Sequence, residues 1–173
     1  MLKNIILLLR PHQWVKNLFC FIPLFFGRHL FDAEYILPCC FAFMAYCIAA
    51  SGIYCFNDIY DAEADKKHPV KCKRPIASGA VGKPMAYIIM LGCFIAAFGI
   101  ALAGQINLGI SMMPVFAIIA CYILLNIAYC IRLKHIAIVD VFIIAVGFVL
   151  RVLIGGLATS IALSQWIILM TFL

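Results

Sequence analysis

Charge is the scarcest property of this 173-residue chain. Only 12% of residues are charged, seven of them acidic, against 67% hydrophobic and a mean hydropathy of +1.14. A water-soluble domain runs near ~45–50% apolar and ~25% charged. So little polar surface cannot cover a core this large, which excludes a soluble globule, a disordered chain and a nucleic-acid-binding domain. No C-x-x-C pair occurs, and the nine cysteines are an odd number. Seven of them sit in apolar runs, where a thiol behaves as a small hydrophobe. That argues against a disulfide scaffold and against a thiolate metal site. His12, His29, His68 and His135 show no ligand-like spacing, and the first ten residues carry no small-residue cleavage site of a secretory signal. What remains is an all-α, polytopic membrane protein.

The apolar runs set the expected spans. Residues 1–17 read as an interfacial amphipathic helix. A short run over 18–30, broken by Pro23, Gly27 and Arg28, crosses only as a tilted or kinked helix helped by Trp14 and Val15. Residues 36–56 form a second span. Residues 84–131 carry no charge and hold two spans joined by a turn near Gly104, Gln105, Asn107 and Gly109. Residues 137–158 make a fifth span containing Asp140 and Arg151, and 161–173 begin a sixth. The whole reads as one partial transmembrane domain. Eleven of the thirteen cations fall in residues 1–17, the polar stretch 57–83 and residues 132–134. Those segments should share one side, and the positive-inside rule makes it the cytoplasm.

One stretch carries chemistry. The second span runs into Asn57, Asp58, Asp61 and Asp65. On a continuing helix these fall at about 0°, 100°, 40° and 80°, with Tyr54 in the same arc and Glu63 pointing away. Three carboxylates on one face repel, so a cation must compensate, and hard oxygen donors suit Mg²⁺. The competing reading is a solvated acidic helix end paired with Lys66 and Lys67. Next comes His68-Pro-Val-Lys71-Cys-Lys73-Arg74-Pro75, then Ser78-Gly79. It reads as a phosphate clamp or as a plain positive-inside loop. Asn126, Tyr129, Arg132 and Lys134 close the fourth span. Asp140 and Arg151 share a face of the fifth, about 16 Å apart by helical rise, too far to pair directly. A charge inside a span marks a cavity, although a structural role for Arg151 also fits. Gly147, Gly155 and Gly156 suggest close helix packing.

These residues, in this order, resemble the UbiA-type intramembrane prenyltransferase superfamily, whose first acidic motif is N-D-x-x-D-x-x-x-D. The stretch Leu9-Arg10-Pro11-His12-Gln13-Trp14-Val15-Lys16-Asn17, the H-P-x-K-x-x-R-P loop and the segment Arg132 to Arg151 resemble its decaprenyl-phosphate phosphoribosyltransferase branch. The resemblance implies about nine helices around a cavity facing the cytoplasm in a bacterial inner membrane. It implies Asn57, Asp58, Asp61 and Asp65 as holders of Mg²⁺–diphosphate, with the three aspartates catalytic. Lys16, Lys71, Arg74, Tyr129, Lys134 and Asp140 then grip phosphates, with Tyr54 and Arg151 beside them. The implied reaction moves 5-phosphoribosyl from phosphoribosyl diphosphate to a polyprenyl phosphate, for cell-envelope precursors, and leaves a homo-oligomer open. Two other readings stand beside it: prenyl transfer from a polyprenyl diphosphate to an aromatic acceptor, and a non-catalytic transporter or lipid-binding helper. The superfamily's second acidic motif lies in a later helix absent here, and the chain ends on Phe172-Leu173 inside a span. The expectation is therefore a fragment of a longer member.

Overall fold

The computed structural model describes residues 1–173, with the side chain of His135 outside the described residues. The chain is all-helical in its regular elements. These are α1 (Leu2–Leu9), a 3₁₀ helix over Pro11–Phe21, α2 (Ile22–Gly27), α3 (Ala33–Tyr60), α4 (Ala62–Lys66), α5 (Lys83–Leu108), α6 (Met113–Ile131), α7 (Ala137–Thr159) and α8 (Gln165–Phe172), with short 3₁₀ turns at Lys71–Lys73 and Leu133–His135. Among the described residues, four helices are long and apolar enough to cross a bilayer: α3, α5, α6 and α7.

The expected first span is built differently. Pro11 has no N–H to donate and its ring cannot follow a helical turn. The chain therefore breaks at Arg10, which takes a left-handed φ of 50°. The interfacial helix expected over 1–17 shrinks to α1, and from Pro11 onward, Trp14 and Val15 included, the chain continues as a 3₁₀ helix that runs into α2. A 3₁₀ helix rises about 2.0 Å per residue, so Pro11–Phe21 and α2 together add up to about 31 Å of helix, although neither is among the four helices long and apolar enough to cross by themselves. This segment runs alongside α7. Asn17 meets Arg151, Phe19 stacks edge-on against Phe148, and Gly27 lies by Ile161. The approach depends on Gly155, where a Cβ would collide with the Cys20 carbonyl.

α3 is the centre of the bundle, in contact with α1, the long 3₁₀ helix, α5, α6 and α7. Its small residues Ala42, Ala45, Ala49, Ala50, Ser51 and Gly52 are buried. Between membrane helices the gain comes from close van der Waals approach, which such residues permit. Tyr46, Ile119, Ile154 and Met112 fill the core around them. Of the four residues expected at the turn between α5 and α6, Gly109 makes it with φ 65°, while Gly104, Gln105 and Asn107 remain in α5; Gln105 Oε1 accepts from the Met112 amide at 3.1 Å. All nine cysteines are free. Helix extends further into 57–83 than a loop reading suggests: α3 continues to Tyr60 and α4 follows after a break at Asp61.

Candidate functional site

Four segments distant in sequence meet at the C-terminal end of α3: residues 10–17, the α3–α4 junction, the basic loop and the α6–α7 turn. Their cations sort the acidic face in the order of its angular positions. Asn57, at one edge of the arc, accepts a hydrogen bond from the Cys130 thiol at 3.3 Å. Asp61, next along it, takes Lys134 Nζ at 2.5 Å. Asp65 accepts from Arg74 Nη1 at 2.7 Å. Asp58, at the far edge, takes Arg10 Nη2 at 2.6 Å and Arg74 Nη1 at 3.3 Å, all on Oδ1. The face expected as one ligand set is thus divided into an Asn57/Asp61 half toward α6 and an Asp58/Asp65 half toward the basic loop. The reason is that cations arrive from two sides.

Burial separates the halves too. Asp58 is 1% exposed and Asp65 3%, while Asp61 keeps about a quarter of its side chain open. Burying a carboxylate is costly unless a cation sits close to it, and Arg10 and Arg74 supply those partners. The solvated pairing with Lys66 and Lys67 does not form. Lys66 instead bonds the off-face Glu63 at 3.1 Å, joined by Lys83 at 3.0 Å. Lys83, then Lys66, hold the exposed Glu63 carboxyl below its usual range.

Two cavities flank this end of α3. One, of about 320 Å³, is lined by Lys16, Tyr54, Asn126, Tyr129, Phe148 and Arg151 with neighbouring isoleucines. The other, of about 350 Å³ and more open, is lined by Arg10, His12, Asp58, Lys71, Lys73 and Arg74 among others. The Arg10 guanidinium lies 5.2 Å from the centre of the Tyr54 ring, so this pair forms part of the wall between them. Tyr129 donates to Asp140 Oδ1 at 2.7 Å, at the rim of the first cavity. Asp140 and Arg151 do not pair, as their separation required. Lys134 lies 5.3 Å from the Tyr60 ring centre, and Tyr60 donates to the Ile131 carbonyl at 3.1 Å.

The structure therefore gathers Tyr54, Lys16, Tyr129 and Arg151 around one cavity and Lys71 and Arg74 around the other. Lys134 and Asp140 stand at the α6–α7 turn. Arg10 and Asn17 are the polar residues sequence reasoning missed. Arg10 left no signal that named its partner, because the burial of Asp58 is visible only in the fold. Asn17 had a signal, because an intramembrane Arg151 without a carboxylate needs another acceptor.

The fit to Mg²⁺ can be judged from the donors. Among the described residues, no three His, Cys, Asp or Glu side chains form a metal-holding group. The motif is nonetheless all oxygen, and Asp58 Oδ2 is buried without a hydrogen-bond partner. Mg²⁺ needs only one or two carboxylates when phosphates supply its other ligands. The residues suit a metal that arrives on a diphosphate, not a closed all-protein cage.

Residues 18–173 match the UbiA prenyltransferase family. The chain is 39% identical over 173 residues to the decaprenyl-phosphate phosphoribosyltransferase of Mycolicibacterium smegmatis, covering 98% of this chain and 52% of that protein. It is 37% identical over 163 residues to the protein of the same name in Corynebacterium glutamicum, covering 93% and 48%. Against the digeranylgeranylglyceryl phosphate synthase of Sulfolobus acidocaldarius it is 35% identical over 123 residues, covering 70% and 41%. The chain spans about half the length of these relatives.

Proposed function

The chain belongs to the UbiA prenyltransferase family, and from that membership we propose that the full-length protein transfers 5-phosphoribosyl from phosphoribosyl diphosphate to a polyprenyl phosphate, with Mg²⁺ bound to the leaving diphosphate. The carrying observation is the number of cations around a single acidic helix end. Lys134 stands on one side, Arg10 and Arg74 on the other, and Lys16 and Arg151 line a separate cavity. One diphosphate and a neutral aromatic ring would leave the second group unused, whereas two phosphate-bearing substrates employ both. Relatives carrying the phosphoribosyltransferase name support the same choice.

In this reading the bond from the anomeric carbon to diphosphate breaks, and the pair of electrons leaves with diphosphate. An oxygen of the lipid phosphate forms the new bond at that carbon. The nucleophile is already an anion, so the residues mainly position and stabilise charge. Asp58 and Asp61, with Asn57 and Asp65 beside them, would hold Mg²⁺. The metal, when bound, would neutralise charge on the departing diphosphate. Lys134, released from Asp61, and Arg74, at the mouth of the basic loop, take up phosphate oxygens. Tyr129 and Asp140 brace the rim of the first cavity through their hydrogen bond. The soluble donor reaches this end from the cytoplasm, the side the cation distribution favours, and the acceptor arrives through the bilayer.

The test supplies labelled phosphoribosyl diphosphate and polyprenyl phosphate to membranes containing the full-length protein. A labelled phosphoribosyl lipid that requires Mg²⁺ is the expected product. Prenylation of 4-hydroxybenzoate without any phosphoribosyl lipid would replace this reading by the aromatic-acceptor one.

A further inference from the structure

Arg151 is 8% exposed and sits in the middle of α7, beyond the reach of any carboxylate: among the described residues it forms no ion pair. Its Nε donates to Asn17 Oδ1 at 2.8 Å and its Nη1 to the Gly147 carbonyl at 2.6 Å, while Nη2 has no partner among the described residues. The rings of Phe148, Tyr46 and Tyr122 surround the guanidinium at 5.2, 5.5 and 5.9 Å. Aromatic faces and two neutral oxygens soften a buried cation but do not cancel its charge. The side chain lines the 320 Å³ cavity, whose other charged wall is Lys16 and which has no acidic residue in its lining. Asn126 and Tyr129 add polar groups to the same wall.

A low-dielectric cavity holding two cations and no carboxylate is built for an anion. The bond to Gly147 carries the Arg151 head back toward the motif end, about 10 Å by helical rise from the level of Asp140. None of Asp58, Asp61, Asp65 or Lys134 lines this cavity, so an anion there is held by a different set of residues. We propose that this cavity is a second anion site, distinct from the diphosphate position, in which Arg151 and Lys16 bind the phosphate monoester of a substrate. It rests on the two-phosphate reading above and assigns to that reading the place of the second phosphate. The chemistry is shared by the 5-phosphate of the sugar donor and the phosphate of the lipid acceptor, and both lie within its terms. The isoleucine and phenylalanine walls fit a phosphate delivered on a larger, less polar body. Asn17 is a positioning residue, aligning Arg151 without touching the anion.

The experiment measures binding of ribose 5-phosphate and, separately, of a short-chain polyprenyl phosphate to the full-length protein in detergent micelles, alongside steady-state turnover. Arg151→Met is expected to weaken one of the two probes by about 10- to 100-fold and to raise KM for the matching substrate in parallel. Arg151→Lys should recover part of the loss. Lys16, exposed at the cavity, carries no structural load, and Lys16→Met should weaken the same probe by about 3-fold. Loss confined to ribose 5-phosphate assigns the cavity to the donor, and loss confined to the lipid assigns it to the acceptor. Unchanged binding of both probes in Arg151→Met and Lys16→Met would overturn the proposal. Should Arg151→Met fail to fold, unchanged binding in Lys16→Met and Arg151→Lys decides against it. Wild-type protein that binds a probe through Arg151 yet forms no phosphoribosyl lipid would sink the proposed reaction and leave this site standing. Turnover with probe binding indifferent to both cations would do the reverse.

Discussion

Removing Arg74 should cost more stability than removing the aspartate it holds. Arg74 Nη1 bonds Asp65 at 2.7 Å and Asp58 at 3.3 Å, and Asp58 keeps Arg10 when Arg74 is gone. Among the described residues Asp65 has no other cation, and it is 3% exposed. Arg74→Met therefore strands a buried carboxylate, a change worth about 3 kcal/mol. Asp65→Asn keeps an acceptor for Arg74, which also retains Asp58, so it should cost about 1 kcal/mol. The double variant has no charge left to strand and should cost about 2 kcal/mol. That total is about 2 kcal/mol less than the singles added together, within the range seen for directly coupled residues. The nine free cysteines, most of them buried, offer a built-in reporter. Denaturation of the full-length protein in mixed micelles, followed by labelling with a thiol-reactive fluorophore, yields all three values. A double variant whose loss equals the sum of the singles would refute the bridging role, as would an Arg74→Met protein as stable as wild type.

Glu63→Gln should leave turnover and stability unchanged, since its pairs with Lys66 and Lys83 lie in solvent off the acidic face; a loss of turnover approaching that of an Asp61 variant would show that the face is drawn wrongly. The lowered pKa of Glu63 keeps it charged into acid where a free carboxylate is protonated, so any contribution it makes is full above the usual carboxylate range and is lost as the pH falls from there through its lowered pKa. Gly155→Ala should destabilise by about 1–3 kcal/mol because its Cβ meets the Cys20 carbonyl, whereas Gly99→Ala in α5, with open space around it, should be neutral or stabilising by up to about 1 kcal/mol; thermal midpoints of the two variants decide. Asp61→Asn should abolish Mg²⁺-dependent turnover while membrane insertion and micelle-solubilised yield stay at wild-type level. Retained turnover would favour a non-catalytic reading of the acidic face.

Long apolar runs, charge-free in α6 and, past Lys83, in α5, and interrupted in α7 by Asp140 and Arg151, made these helices readable to within a few residues, and the clustering of cations correctly brought residues 1–17, the basic loop and the α6–α7 turn to one end. The N-terminal segment over Pro11–Gly27 was harder. Its apolar run is too short for an α-helical span, and nothing in its residue pattern announces eleven residues of 3₁₀ helix. Angular spacing placed Asn57, Asp58, Asp61 and Asp65 on one arc. Spacing within one helix, however, says nothing about which neighbours approach from either side. The division between Lys134 and the Arg10–Arg74 pair is a tertiary fact, set by where α1 and the basic loop dock. The same limit hid Asn17: an Arg151 without a carboxylate called for another acceptor, but only the docking of the 3₁₀ helix against α7 shows which residue supplies it.

The charges at this end of the molecule serve the fold as well as any chemistry. Inside a bilayer, helices gain little from burying apolar surface against one another, and packing alone does not choose among many near-equal arrangements. The pairs Arg10–Asp58, Arg74–Asp65 and Lys134–Asp61 join segments 48, 9 and 73 residues apart. Three carboxylates on one helix face would repel if left alone. Each recruits a cation from a different segment, so the repulsion is relieved only when all three segments have docked. That makes the acidic face an assembly point. It also means that a ligand bringing its own charges to this face must exchange with pairs already formed. Such a ligand has to supply cation to the carboxylates and anion to the freed Lys134 and Arg74 together. A metal–diphosphate does both at once, whereas a lone metal or a lone phosphate leaves half of each broken pair unmatched.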